Sequence, residues 1–304
     1  MNLFVIGSSN MDLVISLPRI PLAGETILGG KSSMIFGGKG ANQAVTASRC
    51  GGQVGFVSKL GNDIFGDNIK AHFKKERLPD QFILTDDHEP TGIAQIFVSE
   101  QGENVIAVAP GANANLTIKD ILPFEPTLRQ AKVILIQLEI PIETVSYVVN
   151  FAAENKIKVI LNPAPARKLE DELLNQLWLL TPNESEAGIL AGIEVNDMES
   201  AQKAGEILLH KGIQNVIITL GENGCLLCNQ QGTLHYPAFK LRAIDSTAAG
   251  DVFNGALAVA ITNQHSWNMA IPFANAAAAI SVTRYGAQTS IPYKVEVDNF
   301  LHSG

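Results

Sequence analysis

Three stretches of small and polar residues hold the side chains from which chemistry can be built. The first is Ala248-Ala249-Gly250-Asp251, followed by an apolar helical pattern through Val252, Phe253 and Ala256. Small residues ahead of an acid describe a tight turn into a helix start, where backbone N–H groups lack intrahelical acceptors. Those groups and the helix dipole together attract an anion. Side chains at 248, 249 and 250 are minimal, so a phosphate can come close to the backbone. A carboxylate beside a bound phosphate is electrostatically unfavourable unless it has a task. Accepting the proton of an attacking hydroxyl is such a task. Phosphoryl transfer suits the arrangement, because positioning and charge stabilisation govern its transition state. Read alone, the tetrapeptide fits a plain first-turn acid better.

The second stretch is Gly37-Gly38-Lys39-Gly40-Ala41-Asn42-Gln43, which also leads into a helical pattern. Its glycines permit close backbone approach, and Lys39 and Asn42 bring donors suited to hydroxyls. It is neither a Walker A loop nor a dinucleotide fingerprint, and an ordinary glycine turn accounts for it as well. The third, Gly7-Ser8-Ser9-Asn10-Met11-Asp12, directly follows the first apolar run. In an extended segment Asn10 and Asp12 face the same way. A carboxylate with an amide can grip vicinal hydroxyls; an Asx turn is the plainer account. Glu139 ends another apolar run, as do Thr181-Pro182-Asn183-Glu184-Ser185-Glu186 and Thr219-Leu220-Gly221-Glu222-Asn223-Gly224. Asn183 and Glu186 have capping-box spacing. The alternative is that they hold magnesium through water, near nucleotide phosphates.

The elements that must position these residues follow from periodicity. Short runs rich in Val, Ile and Leu predict strands at 3–7, 54–58, 133–138, 159–162, 177–180 and 216–220. Helical patterns lie between or after them, at 41–50, 66–76, 142–155, 199–211, 252–262 and 268–284. The alternation predicts an α/β fold, a doubly wound and mainly parallel sheet flanked by helices. In such a sheet ligands bind beyond the carboxyl ends of the strands, and the polar segments above all fall at predicted strand ends or helix starts. Two regions, about 12–36 and 91–109, break the rhythm and read as strand and turn. They predict a small projecting β-sheet, serving as a lid, a subunit contact or both. Without a long linker or repeat, 1–304 reads as a single domain.

Composition sets the outer limits. The 304 residues are 46% hydrophobic, enough for a large core. A net charge of −8 argues against a general nucleic-acid binder, but not against an anion held by backbone N–H groups. No leader pattern and no apolar run of roughly 18–20 residues is evident. The expectation is therefore a cytoplasmic protein away from membranes. Three cysteines, Cys50, Cys225 and Cys228, do not suggest a disulfide scaffold. Cys225 and Cys228 form a C-x-x-C, yet nothing completes a zinc site, and i and i+3 face opposite ways in a strand. Small apolar core residues are the better reading than a redox or metal motif.

Taken together, the motifs resemble those of the ribokinase family of carbohydrate kinases. Gly37 through Gln43 resembles its N-terminal signature, and Asp245-Ser246-Thr247-Ala248-Ala249-Gly250-Asp251 its C-terminal one. The similarity runs nearly the whole chain, including Gly7–Asp12, Asn162-Pro163-Ala164-Pro165-Ala166, Thr181–Glu184 and Gly286-Ala287-Gln288. The resemblance implies ATP, magnesium and phosphoryl transfer to the 5-hydroxyl of ribose, with dimerisation through the β lids. It implies that Asn10, Asp12, Gly38, Lys39, Gly40, Asn42 and Glu139 hold the sugar. Asp251 would be the base, and Ala248, Ala249 and Gly250 the anion hole. Asn183, Thr219, Leu220, Gly221, Glu222, Asn223, Gly224, Gly250 and Asn275 would surround the nucleotide. Potassium would be held at Asp245, Thr247, Ser281, Arg284, Gly286 and Ser290, several of them through backbone carbonyls. Val252 stands where Thr is common in the family, a change behind the site. Deoxyribose, another small sugar or a nucleoside remains an alternative substrate. A non-catalytic sugar binder on the same fold is opposed by Asp251 in its intact turn. A nicotinamide-dependent oxidoreductase is opposed by the missing G-x-G-x-x-G after the first strand.

Overall fold

Val, Ile and Leu on both faces of short strands require cover from two sides, and the computed structural model, which describes residues 1–303, supplies it. The strands are β1 (Leu3–Ile6), β2 (Asn10–Leu17), β3 (Lys31–Gly37), β4 (Val54–Gly61), β5 (Ile83–Asp86), β6 (Gly92–Ser99), β7 (Asn104–Ala109), β8 (Val133–Ile136), β9 (Lys158–Leu161), β10 (Leu179–Leu180), β11 (Asn215–Thr219), β12 (Cys225–Asn229) and β13 (Gly232–Tyr236). The helices are α1 (Lys39–Arg49), α2 (Ile64–Lys75), α3 (Ile118–Ile121), α4 (Glu125–Leu128), α5 (Ile142–Glu154), α6 (Asp171–Leu174), α7 (Glu184–Ala191), α8 (Met198–His210), α9 (Ala249–Thr262), α10 (Trp267–Ser281) and α11 (Lys294–Ser303).

Nine strands form the main sheet, in the order β13-β12-β11-β10-β9-β8-β1-β4-β5. All neighbours pair in parallel except β11 with β12 and β12 with β13. The doubly wound body expected from the sequence is present. Alternate side chains serve opposite layers. Leu3 and Val5 of β1 belong to the layer that α1, α9 and α10 cover, whereas Phe4 and Ile6 belong to the opposite layer, which α5, α7 and α8 cover. The chain order reverses at β1, which lies between β4 and β8. The crevice beyond β1 and β8 is the switch point, where an open α/β sheet binds ligands.

Just past that point Gly7-Ser8-Ser9 carries the chain out of the main sheet and into β2. Strands β3-β2-β6-β7 make a separate four-stranded sheet. In it Asn10 is paired with Gly37 on one side and Gly92 on the other. The apolar Val105, Ile106 and Val108 of β7 are exposed.

Seven elements had no counterpart in the sequence pattern: strands β5 and β13, the one-turn helices α3, α4 and α6, and helices α7 and α11. β13 closes the antiparallel edge, α7 follows the Thr181–Glu186 segment, and α11 ends the described chain. Apolar residues in α7 do not segregate cleanly to one face, so its helical period is weak. Cys225 and Cys228 are free and buried on opposite faces of β12. Burial pushes the Cys225 thiol up to about 12, so it is an inert apolar residue.

Candidate active site

The first turn of α1 is pressed against the exit of β1. A Cβ on Gly38 would lie 2.8 Å from the backbone N of Asn10, and one on Gly40 would lie 2.5 Å from that of Ser8. Gly38 also has φ 87, in the region that favours glycine. This contact orders the residues around it. Ser8 Oγ donates to Glu139 Oε2 at 2.5 Å, and the Lys39 N–H donates to the same oxygen at 3.0 Å. Glu139, just beyond β8, thus joins the two sides of the switch point. Gly37 is bare for a related reason. A Cβ there would lie 2.2 Å from Asp12 Oδ2.

Asp251 is in the first turn of α9 and is buried. Its two oxygens accept from Asn42 Nδ2 and Gln43 Nε2, each at 2.9 Å. Burial pushes its carboxyl up, against the pull of the Lys39 ammonium and the two amides. Lys39 is held above the usual ammonium range, chiefly by Asp251. Burial, reinforced by Glu139 and Asp251, pushes Asp12 up to about 7 from an ordinary 3.8. Burial also raises Glu186. Four carboxyl groups therefore share one ammonium, an arrangement that favours holding a proton in the site.

Hydrogen-bonding capacity in the pocket is only partly used. Among the described residues no donor reaches the Asp12 carboxylate and no acceptor reaches Lys39 Nζ. Asn42 Oδ1 is buried without a partner. Asn10 Oδ1 accepts from Asn113 Nδ2 at 2.8 Å, which leaves its own amide N–H groups uncommitted. Uncommitted acceptors and donors of this kind, close together on largely buried residues, suit a polyhydroxylated small molecule.

On the other side of Asp251 lies an open cleft of about 1210 Å³. Asn183, Thr219, Gly221, Gly224, Gly250 and Asn275, all named from the sequence, line it. Leu220, Glu222 and Asn223 do not. The Leu220 side chain is in the core, and Glu222 and Asn223 border a neighbouring recess. α7 and the segment after it add Ile189, Ile193 and Val195, an apolar wall suited to a flat ring.

Between pocket and cleft stands the turn at 248–250. Ala248 takes the left-handed conformation, φ 60, which costs a non-glycine residue about 1–2 kcal/mol. The N–H of Ala249 already donates to Ser246 O at 3.2 Å. Those of Ala248, Gly250 and Asp251 have no acceptor among the described residues. A Cβ on Gly250 would meet nothing within 4 Å, so the turn opens onto free space. Free N–H groups at a helix start that face open space are able to bind an anion.

The remaining sequence-named residues fall into two groups. Asn183 and Glu186 form a reciprocal capping box at the start of α7, at 2.9 and 2.8 Å. Their plainer reading therefore holds, although Glu186 Oε1 stays uncommitted. Asp245 joins two loops, accepting from the N–H of Thr247 at 2.9 Å and of Gly286 at 2.8 Å. Burial raises the Asp245 carboxyl, but these hydrogen bonds outweigh it and leave it lowered. No Lys or Arg among the described residues pairs with it. Ser281 and Ser290 turn their hydroxyls back to Ala278 O and Ala287 O. The Arg284 guanidinium pairs with Glu296 at 2.5 Å, so only its backbone is left for a cation.

Several residues that build the site escaped the sequence analysis as individuals. Gln43 Nε2 reaches both Asp251 and Asn162 Oδ1, the latter at 3.0 Å, and Gln43 accepts from Gln137 Nε2. Asn113 holds Asn10 and the Ser9 backbone from a 3₁₀ turn. Two consecutive amides in the first turn of α1 were the available signal for Gln43. Nothing local marks Asn113, which is 103 residues from its partner.

A doubly wound sheet, a hydroxyl-binding pocket and a phosphate-sized turn beside a buried carboxylate define a small-molecule phosphotransferase. The chain belongs to the pfkB family of carbohydrate kinases, whose model matches residues 1–294. It is 44% identical to a ribokinase of Haemophilus influenzae over 98% of both chains. It is 34% identical to a deoxyribokinase of Salmonella typhi over 99% of both. The structure of an Arabidopsis thaliana ribokinase complexed with ribose and ATP matches with a TM-score of 0.92 at 30% identity, covering 99% of this chain and 98% of that one. The protein is an ATP-dependent sugar kinase.

Proposed function

We propose that the sugar is D-ribose, phosphorylated on its 5-hydroxyl with Asp251 as general base. One observation carries the reading: unsatisfied groups of Asp12, Lys39 and Asn42 converge on one side of Asp251, and unpaired N–H groups face open space on the other. Asp12 and Asn10 would take the vicinal hydroxyls, and Lys39, Asn42 and Glu139 the rest of the ring. Held in this way, the sugar would present its 5-hydroxyl to Asp251. Its oxygen forms the new bond to phosphorus as the bond between that phosphorus and the leaving ADP oxygen breaks. Its proton passes to Asp251. The raised carboxyl of Asp251 suits it to take that proton. The N–H groups of Gly250 and Asp251 stabilise the charge on the transferring group.

Magnesium and potassium fit the residues present. No group of three or more His, Cys, Asp or Glu side chains among the described residues could hold a metal ion. Magnesium would therefore rest mainly on the nucleotide phosphates and water, with the free Glu186 oxygen in its outer shell. It would supply charge neutralisation at the phosphates. Asp245, without a cationic partner, fits as the fixed charge of a potassium site, together with carbonyls of 281–290. The four-stranded sheet reads as a lid, and its exposed Val105, Ile106 and Val108 as the surface a second copy covers.

The deciding experiment is a substrate panel with ATP. Turnover of ribose well above that of 2-deoxyribose, other pentoses and nucleosides is expected. The likeness to a deoxyribokinase makes 2-deoxyribose the second reading. Preference for it would overturn the assigned grip on vicinal hydroxyls.

A further inference from the structure

At the opposite, amino end of the main sheet lies a second cavity of about 650 Å³. Lys132 precedes β8, Lys158 begins β9, Lys156 precedes β9, and Trp178 precedes β10. Thr262 and Trp267 complete the wall from α9 and α10. Helix α9 is 14 residues long, so this wall is about 20 Å from the turn carrying Asp251. The cavity is separate from the kinase site.

Its lining is unusual for a chain of net charge −8. Both tryptophans of the protein are in it, with rings stacked at 5.4 Å. Lys158 Nζ lies 4.3 Å from the Trp178 ring centroid. None of the three lysines has an ion-pair partner among the described residues, and no Asp or Glu lines the cavity. The start of α10 also faces it. Ser266 does not cap that helix, and the N–H groups of Trp267 and Asn268 have no acceptor among the described residues. Cations at helix C-termini account for part of this, since Lys156 follows α5. They do not account for the stacked indoles, or for the free α10 N-terminus in the same wall.

We propose that this cavity is a second ligand site, for a planar aromatic ring carrying a phosphate, the chemistry of a nucleoside monophosphate. The indoles offer a stacking surface. The lysines and the α10 N–H groups offer a place for the dianion. A cavity of this size admits one such molecule.

Because both tryptophans are here, their emission reports this site and not the nucleotide cleft. Selectively excited tryptophan emission is followed while AMP is added to the intact protein, with adenosine and inorganic phosphate added separately as controls. A saturable change with AMP is expected, weakened roughly tenfold or more in Lys158→Glu and in Lys132→Glu. Sugar-kinase turnover in those variants should match the wild type, which shows that they fold. No saturable change, or an unaltered response in both folded variants, would overturn the proposal. A response to adenosine or to phosphate alone as strong as that to AMP would overturn it equally.

Discussion

Asp12→Asn should make the ligand-free protein more stable at alkaline pH while impairing it as an enzyme. The fold raises the Asp12 carboxyl to about 7 from 3.8. A raised acid means that the native state binds a proton the unfolded chain has released, so stability falls as pH rises between those values. Below 3.8 the carboxyl costs nothing extra; above about 7 the full cost persists. The difference of roughly 3 pH units corresponds to about 4 kcal/mol at most, and to about 1.7 kcal/mol at pH ~5. Asp12 is partly exposed, so solvent screening reduces these to about half. Asparagine keeps the shape and loses the charge. The expected gain is about 2 kcal/mol at pH ~8.5 and under about 1 kcal/mol at pH ~5, or roughly 3 °C and 1 °C in Tm. Thermal unfolding without sugar, at several pH values, measures it. Sugar KM should rise by tenfold or more, because charge-assisted bonds to hydroxyls are worth about 1.5–3 kcal/mol each. A variant that is less stable at high pH, or whose Tm difference does not change with pH, would refute the crowded-carboxylate account.

Asp251→Asn should retain sugar binding by calorimetry while turnover falls about 10²–10⁴-fold, the usual contribution of a matched base; near-normal rates would remove Asp251 from that role. Gln43→Leu should lower kcat by about 10–100-fold through misplacement of Asp251, with a smaller change in ATP KM. An unchanged kcat in the folded variant would show that the amides of Gln43 and Gln137 serve packing only. Exchanging potassium for a large organic cation should slow the wild type, and Asp245→Ala should abolish that difference. Equal rates in both salts for the wild type would refute the cation site.

Much of the site was legible because it consists of short contiguous segments at strand ends. Asp251 behind its small residues, Lys39 and Asn42 among glycines, and Asn10 with Asp12 each carry a local signature. The parallel sheet followed from continuous Val, Ile and Leu runs such as Val133–Ile136, which need cover on both faces. The same local logic does not tell which members of a turn face the cleft. Leu220, Glu222 and Asn223 belong to the right turn, but turn geometry aims them at the core and a neighbouring recess.

The sequence by itself named the candidates for the chemistry: residues suited to hydroxyls, a small-residue turn suited to an anion, and the carboxylate that follows it. It also determined the alternation of strands and helices, because periodicity is a local property. Tertiary structure alone decided the electrostatics. Asp12, Lys39, Glu139, Glu186 and Asp251 come from five separate elements or loops, and burial, with Glu139 nearby, raises Asp12 and Asp251 against the pull of Lys39. It likewise decided which groups are already used: Asn10 by Asn113, and Asp251 by Asn42 and Gln43. Burial and hydrogen-bond partners depend on contacts a hundred or more residues apart, and no local pattern encodes those.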